Sequence, residues 1–214
     1  MIDYALIIDS IPALVRGAVV SLQITAVALI IGLPLGTVLA FLQRSSSSFF
    51  RVLVTVYVTL FRGTPMLVQI LFVYYVLPQF GILISPFWAA GAALGLNSGA
   101  YVSQIVRAGI DAVPLGQIEA AQTLGFSSFV IRTHIVFPQA LRISWPALGN
   151  ELVTLVKDSS LASIIGVVEL SKEASIIRSR TYDAFSVLLG ASLIYLVMTG
   201  ALSYIVSRTE KCFK

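Results

Sequence analysis

Apolar positions along this chain come in long unbroken runs, with few of the alternations that mark half-buried strands. The longest run covers residues 17–43 and carries no charge. A bilayer core is spanned by about 20 mostly apolar residues of helix, so this run predicts a membrane-crossing helix. It exceeds a signal-peptide core, and Asp3 and Asp9 stand where a basic leader would lie, so the helix is read as retained. Gly32, Pro34 and Gly36 predict a bend and the close approach of a neighbour. Four further spans follow. One covers about 52–77, interrupted by Arg62-Gly63-Thr64-Pro65. The next covers about 86–106, after the turn signal Pro78-Gln79-Phe80-Gly81. Another covers about 138–156 with Glu151 inside it, and the last, 184–207, is again uncharged. The pattern predicts an all-α integral membrane protein of about five transmembrane helices, organised as a single domain over residues 1–214.

Composition strengthens this reading. Of 214 residues, 57% are hydrophobic and only 11% charged, less than half the charged share of a typical soluble domain. The net charge of +4 invites a nucleic-acid reading until the charges are placed. Most basic residues flank the apolar runs, where orientation in the membrane is the simpler cause. Arg44, Arg51, Arg107, Arg132, Arg142, Arg208, Lys211 and Lys214 fall on one side if the connection between the third and fourth spans is cytoplasmic. Arg16, Lys172, Arg178 and Arg180 fall on the other. This bias predicts an N-terminus outside and a C-terminus inside. The single cysteine, Cys212, has no partner for an internal disulfide and is expected to be inert.

Polar residues inside apolar spans are costly and point to function. Arg62 sits at the Gly-Thr-Pro break, where unwound backbone must face protein or water. It can neutralise a substrate carboxylate or bond the carbonyls that the break sets free. Gln69 lies two turns further on the same face. Asn97, Tyr101 and Gln104 make one polar stripe on the third span, beside a ridge of Gly91, Gly95 and Gly99. The stripe can line a path or tie helices together. Glu151 can receive a substrate ammonium, pair with Arg62 or Lys157, or face an aqueous vestibule. Lys157 and Asp158 close the fourth span, as a gate or as a helix-end ion pair. Residues 161–180 begin apolar and turn charged, which predicts a partly inserted segment followed by a surface helix.

The connection at about 107–137 holds a second kind of signal. Pro114 can open a short helix, Leu115, Ile118, Ala121 and Leu124 recur at helical spacing, and Gly125 stands where a left-handed cap would end it. So short a helix is not stable alone and must pack on its own chain or on a partner. Glu119-Ala120-Ala121, three residues, Gly125, nine residues, Ile135, one residue and Phe137-Pro138 together resemble the EAA loop of ATP-binding-cassette importer permeases. The family pattern has Leu where Phe137 stands. Phe61-Arg62-Gly63-Thr64-Pro65, Asn97-Ser98-Gly99-Ala100-Tyr101 and Leu155-Val156-Lys157-Asp158-Ser159-Ser160-Leu161 resemble the polar amino-acid branch of that family. The likeness runs from about residue 11 to 210.

The resemblance implies a type I importer half-transporter in the bacterial inner membrane. Two permease subunits, alike or different, would form the pathway, two ATPase subunits would bind below, and a substrate-binding protein would dock outside near residues 161–180. It implies that Glu119, Ala120, Ala121 and Gly125 belong to the helix that couples to the ATPase. It also makes the stretch from Lys157 to Ser160 an outer gate. Polar amino acids are the implied substrates. The Leu77-Pro78-Gln79-Phe80-Gly81 turn and residues 192–198 look closest to cystine permeases. The chain's own chemistry agrees, since none of Lys157, Lys172, Lys211 and Lys214 follows a glycine as a phosphate-cradling loop requires. No cofactor is expected in this chain, and ATP and Mg would be held by the partner. An intramembrane enzyme would need clustered His, Cys or carboxylates, and the single His134 stands alone in the loop. A passive channel or scaffold accounts for the spans but gives no reason for an EAA-like helix.

Overall fold

The computed structural model describes residues 3–212, with side chains through Glu210. The sequence expectations for Lys211, Cys212 and Lys214 therefore lie outside the described side chains. No strand occurs among the described residues. Helix α1 covers Tyr4–Leu42, capped by Asp3, whose carboxylate accepts the Leu6 N–H at 3.0 Å. It starts well before the uncharged run, because its first turns pack on later helices. Its Pro12 and Pro34 lie within the helix. Next come α2 (Ser48–Gly63) and α3 (Met66–Tyr75), then a 3-10 turn over Leu77–Phe80 ended by Gly81 at φ +79°. Helix α4 is Pro86–Asp111 and α5 is Leu115–Thr123. A single turn, α6 (Ser128–Val130), leads through a π-helical stretch, Ile131–Val136, into α7 (Phe137–Asp158). A 3-10 stretch over Ser159–Ile165 precedes α8 (Leu170–Thr181), and α9 is Ala184–Cys212.

Helix α4 is the hub. It packs most extensively on α1 and next on α7. Glycines make the α1–α4 approach possible. A Cβ on Gly36 would lie 2.8 Å from the Gly99 carbonyl oxygen, and one on Gly95 would lie 3.1 Å from the Ala28 carbonyl oxygen. The ridge of Gly91, Gly95 and Gly99 is therefore spent inside this chain, against Val27, Ile31 and Leu35 of α1.

By length and composition, α1 and α9 can cross a membrane, and the bent pair of α2 with the segment Met66–Phe80 makes a third candidate. The expected count of five is not reached on that criterion. The reason is burial for α4 and charge for α7. Fourteen residues of α4 are buried, most of them Ala, Gly and Ser that let helices approach, so its composition answers to protein neighbours. Helix α7 carries Arg142, Glu151, Lys157 and Asp158. The surface-helix reading of α8 also needs correction, because Leu170 and Ala174 are buried against α1 and α9.

A polar cleft at a broken helix and an exposed short helix

The break between α2 and α3 follows from local chemistry. Pro65 has no N–H to continue the helix, and Thr64 before it is extended at φ −115°, ψ 146°, as a residue preceding proline prefers. The chain turns by 104° between Ser48–Gly63 and Met66–Phe80. The carbonyls released there are met by two side chains from different helices. The Gln69 amide donates to the Phe61 carbonyl at 2.8 Å, to the Thr64 hydroxyl at 2.8 Å and to the Thr64 carbonyl at 3.2 Å. The Asn97 amide donates to the Phe61 carbonyl at 3.1 Å and to Gln69 Oε1 at 3.0 Å. The task that the sequence left open to Arg62 is thus carried by Gln69 and Asn97.

Arg62 instead lies with its guanidinium carbon 5.2 Å from the centre of the Tyr101 ring, a cation–π geometry. Both line an open cleft of about 370 Å³ with Gln104, Ser144 and Ala147. Tyr101 and Ala147 also line a second cleft of about 380 Å³, walled by Thr64, Asn97, Asn150, Glu151, Thr154 and Asp158. The two clefts adjoin at these shared residues. One end is cationic and the other carries two carboxylates.

Glu151 accepts a hydrogen bond from the buried Ser98 hydroxyl at 2.8 Å. It makes no ion pair with Arg62 or Lys157. The ion pairs among the described residues are Arg44–Asp111 and Arg107–Asp111. Lys157 and Asp158 are likewise not paired, so the helix-end ion pair considered for them is absent. Lys157 is exposed and lines neither cleft, whereas Asp158 faces the second. Gln104 donates to Gln43 Oε1 at 3.1 Å and to the Ser103 hydroxyl at 3.1 Å, tying α4 to the end of α1.

At the far end of the molecule, α5 presents two different faces. Ala121 is buried and Ile118 half-buried, packed with Val113, Ile131 and Val136. Glu119 and Ala120 are exposed, and Leu115 and Leu124 are 71% and 76% exposed. Ala121 thus seats the helix on its own chain. The cap has the expected left-handed form: Gly125 at φ +80°, its N–H donating to the Gln122 carbonyl and the Phe126 N–H to the Ala121 carbonyl. Phe126 and Phe129 add exposed apolar surface beside it. His134 is exposed, its Nδ1 2.8 Å from the Thr133 hydroxyl.

Sequence reasoning missed one hub. Glu169, absent from the candidate residues drawn from the sequence, is fully buried. Its carboxylate caps α8 by accepting the Ser171 and Lys172 N–H groups at 2.9 and 2.8 Å. It also accepts from the hydroxyls of Tyr195 on α9 at 3.0 Å and Ser21 on α1 at 3.2 Å. A carboxylate just before the polar run Ser171-Lys172-Glu173 was the available signal, as an anion placed at a helix N-terminus.

Long apolar helices, a broken helix pair beside a charged cleft and a short exposed helix at one end together define an integral membrane protein of the transport class. Residues 32–211 match the model of the family described as "Binding-protein-dependent transport system inner membrane component", and the chain belongs to that family. It is 40% identical over 214 residues to the arginine transport system permease protein ArtQ of Bacillus subtilis, covering 100% of this chain and 98% of that one. It is 39% identical over 199 residues to a putative glutamine transport system permease protein GlnP of Rickettsia conorii, covering 92% and 91%. A third relative, the L-cystine transport system permease protein TcyB of Bacillus subtilis, is 38% identical over 195 residues, covering 91% and 83%. Among solved structures, a chain of an amino acid ABC transporter with histidines superposes with a TM-score of 0.92 at 38% identity, covering 99% of both chains.

Proposed function

We propose that this chain is the membrane-spanning subunit of an ATP-driven importer that moves an amino acid inward by alternating access. In this reading α4 and α7 also cross the bilayer, sheathed by α1, the broken α2–α3 pair and α9, which makes five crossings. The N-terminus lies outside and α5 lies in the cytosol. ATP and Mg are bound by two ATPase subunits that seat on Glu119, Ala120, Leu115 and Leu124. A second permease subunit completes the path, and a substrate-binding protein delivers at the outer end near α8. Gly125 ends the coupling helix and sets its exit.

The observation that carries the substrate reading is the opposition of Arg62 to Glu151 and Asp158 across Tyr101. A free amino acid bears both charges, and one cleft end suits each. Arginine offers a forked, always-charged donor set for a carboxylate, and the Ser98 hydrogen bond aims Glu151 for an ammonium. The Tyr101 ring holds Arg62 until a carboxylate competes for it. Gln69 and Asn97 act behind this by holding the break open, and Gln104 lines the Arg62 end. The relatives named above are identified with arginine, glutamine and cystine, and their identities are nearly equal. Among these we propose cystine on the two local likenesses noted in the sequence.

The test is uptake by proteoliposomes that hold the complete transporter, with amino acids free or blocked at either end. Arg62→Gln is expected to cost about tenfold or more in uptake of the free acid and little with a carboxamide, since charge-assisted hydrogen bonds are worth about 1.5–3 kcal/mol. Glu151→Gln is expected to show the converse with N-acylated substrate. Equal losses on all substrates would remove both residues from the recognition step.

A further inference from the structure

We infer that the face formed by α1, α4 and α7 at the α5 end is a binding site for one anionic phospholipid, its phosphate held by Arg44 and Arg132. Two adjoining features carry this. A partly enclosed cleft of about 240 Å³ lies between the end of α1, the end of α4, α5 and the π-helical stretch, and both Arg44 and Arg132 line it, with Gln122 and Ser128 as neutral donors. One helical turn towards the membrane centre lies a groove of about 430 Å³ with almost wholly apolar walls, among them Val38, Val106, Phe137 and Leu141. The pairs Val38 and Phe41, Val106 and Ile110, and Phe137 and Val136 connect the two along three separate helical segments. The tilted Phe41–Phe137 ring pair, 5.9 Å between centroids, stands at the boundary.

A cationic compartment directly above an apolar one has the polarity of a single amphiphile with an anionic head. The charge count agrees. Arg44 and Arg107 share the one carboxylate of Asp111, and Arg132 is exposed with no ion pair among the described residues, so these four side chains keep an excess of two positive charges. Both arginines fall where basic residues between membrane helices meet lipid head groups. The cytosolic leaflet is the one implied if α5 is cytosolic, but the site itself does not depend on that orientation. Because Ile118 and Gln122 of α5 line the head-group cleft, a bound lipid would brace the short helix against α1 and α4.

The experiment uses the whole transporter, purified mildly and mixed with nanodiscs or micelles of defined lipid. Native mass spectrometry with phosphatidylglycerol and phosphatidylcholine supplied in equal amounts is expected to show preferential retention of the anionic lipid by the intact complex. Arg132→Gln, at an exposed side chain without a structural partner, is expected to lower that preference about fivefold. Arg44→Gln is expected to act similarly. Leu141→Trp, which fills the groove and leaves both arginines, is expected to reduce retention as well. Equal retention of both lipids, or no response to Arg132→Gln in a monodisperse complex, would overturn the inference. Full competition by inorganic phosphate without a chain would overturn the lipid and leave a simple anion site. Transport activity in phosphatidylcholine alone reports separately on the permease reading.

Discussion

At the residue scale, the polar side chains inside this membrane domain divide by what they touch. Gln69 and Asn97 satisfy carbonyls, Glu169 satisfies a helix terminus, and Arg62 and the carboxylates of Glu151 and Asp158 face open space. The first group serves stability. Glu169→Ala would leave two N–H groups at the start of α8 without their acceptor and two hydroxyls without theirs. The loss is expected to be about 2–3 kcal/mol, from one cap and one buried polar site, read as a lower midpoint in detergent denaturation. Glu169→Gln keeps the shape and part of the bonding and is expected to lose less. Asn97→Leu is expected to cost about 1–3 kcal/mol for the Phe61 carbonyl and the Gln69 amide it leaves short. If it instead left stability unchanged while altering uptake, the structural role of Asn97 would be overturned.

At the element scale, glycine positions decide which helices touch. A Cβ at Gly17 would lie 2.8 Å from Leu170 Cα and 2.9 Å from the Glu169 carbonyl carbon, both backbone atoms that cannot swing aside. Gly17→Ala is therefore expected to push α8 off α1 and cost about 1–3 kcal/mol, as overpacking does, and to disturb the Glu169 hub with it. Gly63 has open space around its Cβ position, and Gly63→Ala serves as the control with little effect on stability. Helix α5 illustrates the opposite case, where exposure is the message. Leu115 and Leu124 are largely exposed, so Leu115→Glu and Leu124→Glu are expected to leave the thermal midpoint nearly unchanged while releasing the proposed ATPase partner on size-exclusion chromatography. Co-elution of the ATPase at wild-type stoichiometry would move the docking surface elsewhere.

At the scale of the whole molecule, the proposed five crossings put the connection after α1 and helix α5 on one side, and the turn after α3 and the end of α8 on the other. Single cysteines placed in a Cys212→Ser background at Ser46 and Gln117 are expected to react with impermeant maleimide only from the α5 side. Cysteines at Gln79 and Tyr182 are expected to react only from the opposite side. Labelling of Ser46 and Gln79 from the same face would make the bent α2–α3 pair a re-entrant loop and reduce the crossings.

Much of this was legible in the chain because the bilayer imposes a one-dimensional rule: an apolar stretch of sufficient length has few alternatives to crossing as a helix. Thus the runs at the start of the chain and at 184–207, the break at Gly63-Thr64-Pro65, the Gly81 and Gly125 turns and the membrane class could all be read from residue order. The EAA-like spacing pointed to the same family that the comparison with residues 32–211 establishes. Order along the chain could not say what a polar or small residue faces. Whether Gly91, Gly95 and Gly99 meet α1 or another subunit, whether Asn97 reaches the broken backbone, and whether Glu169 meets α1 are matters of neighbours 36 to 148 positions away. A hydrogen bond or a close approach is satisfied in space, by whichever group arrives within about 3 Å. That arrival was decided only when α1, α4, α8 and α9 packed together.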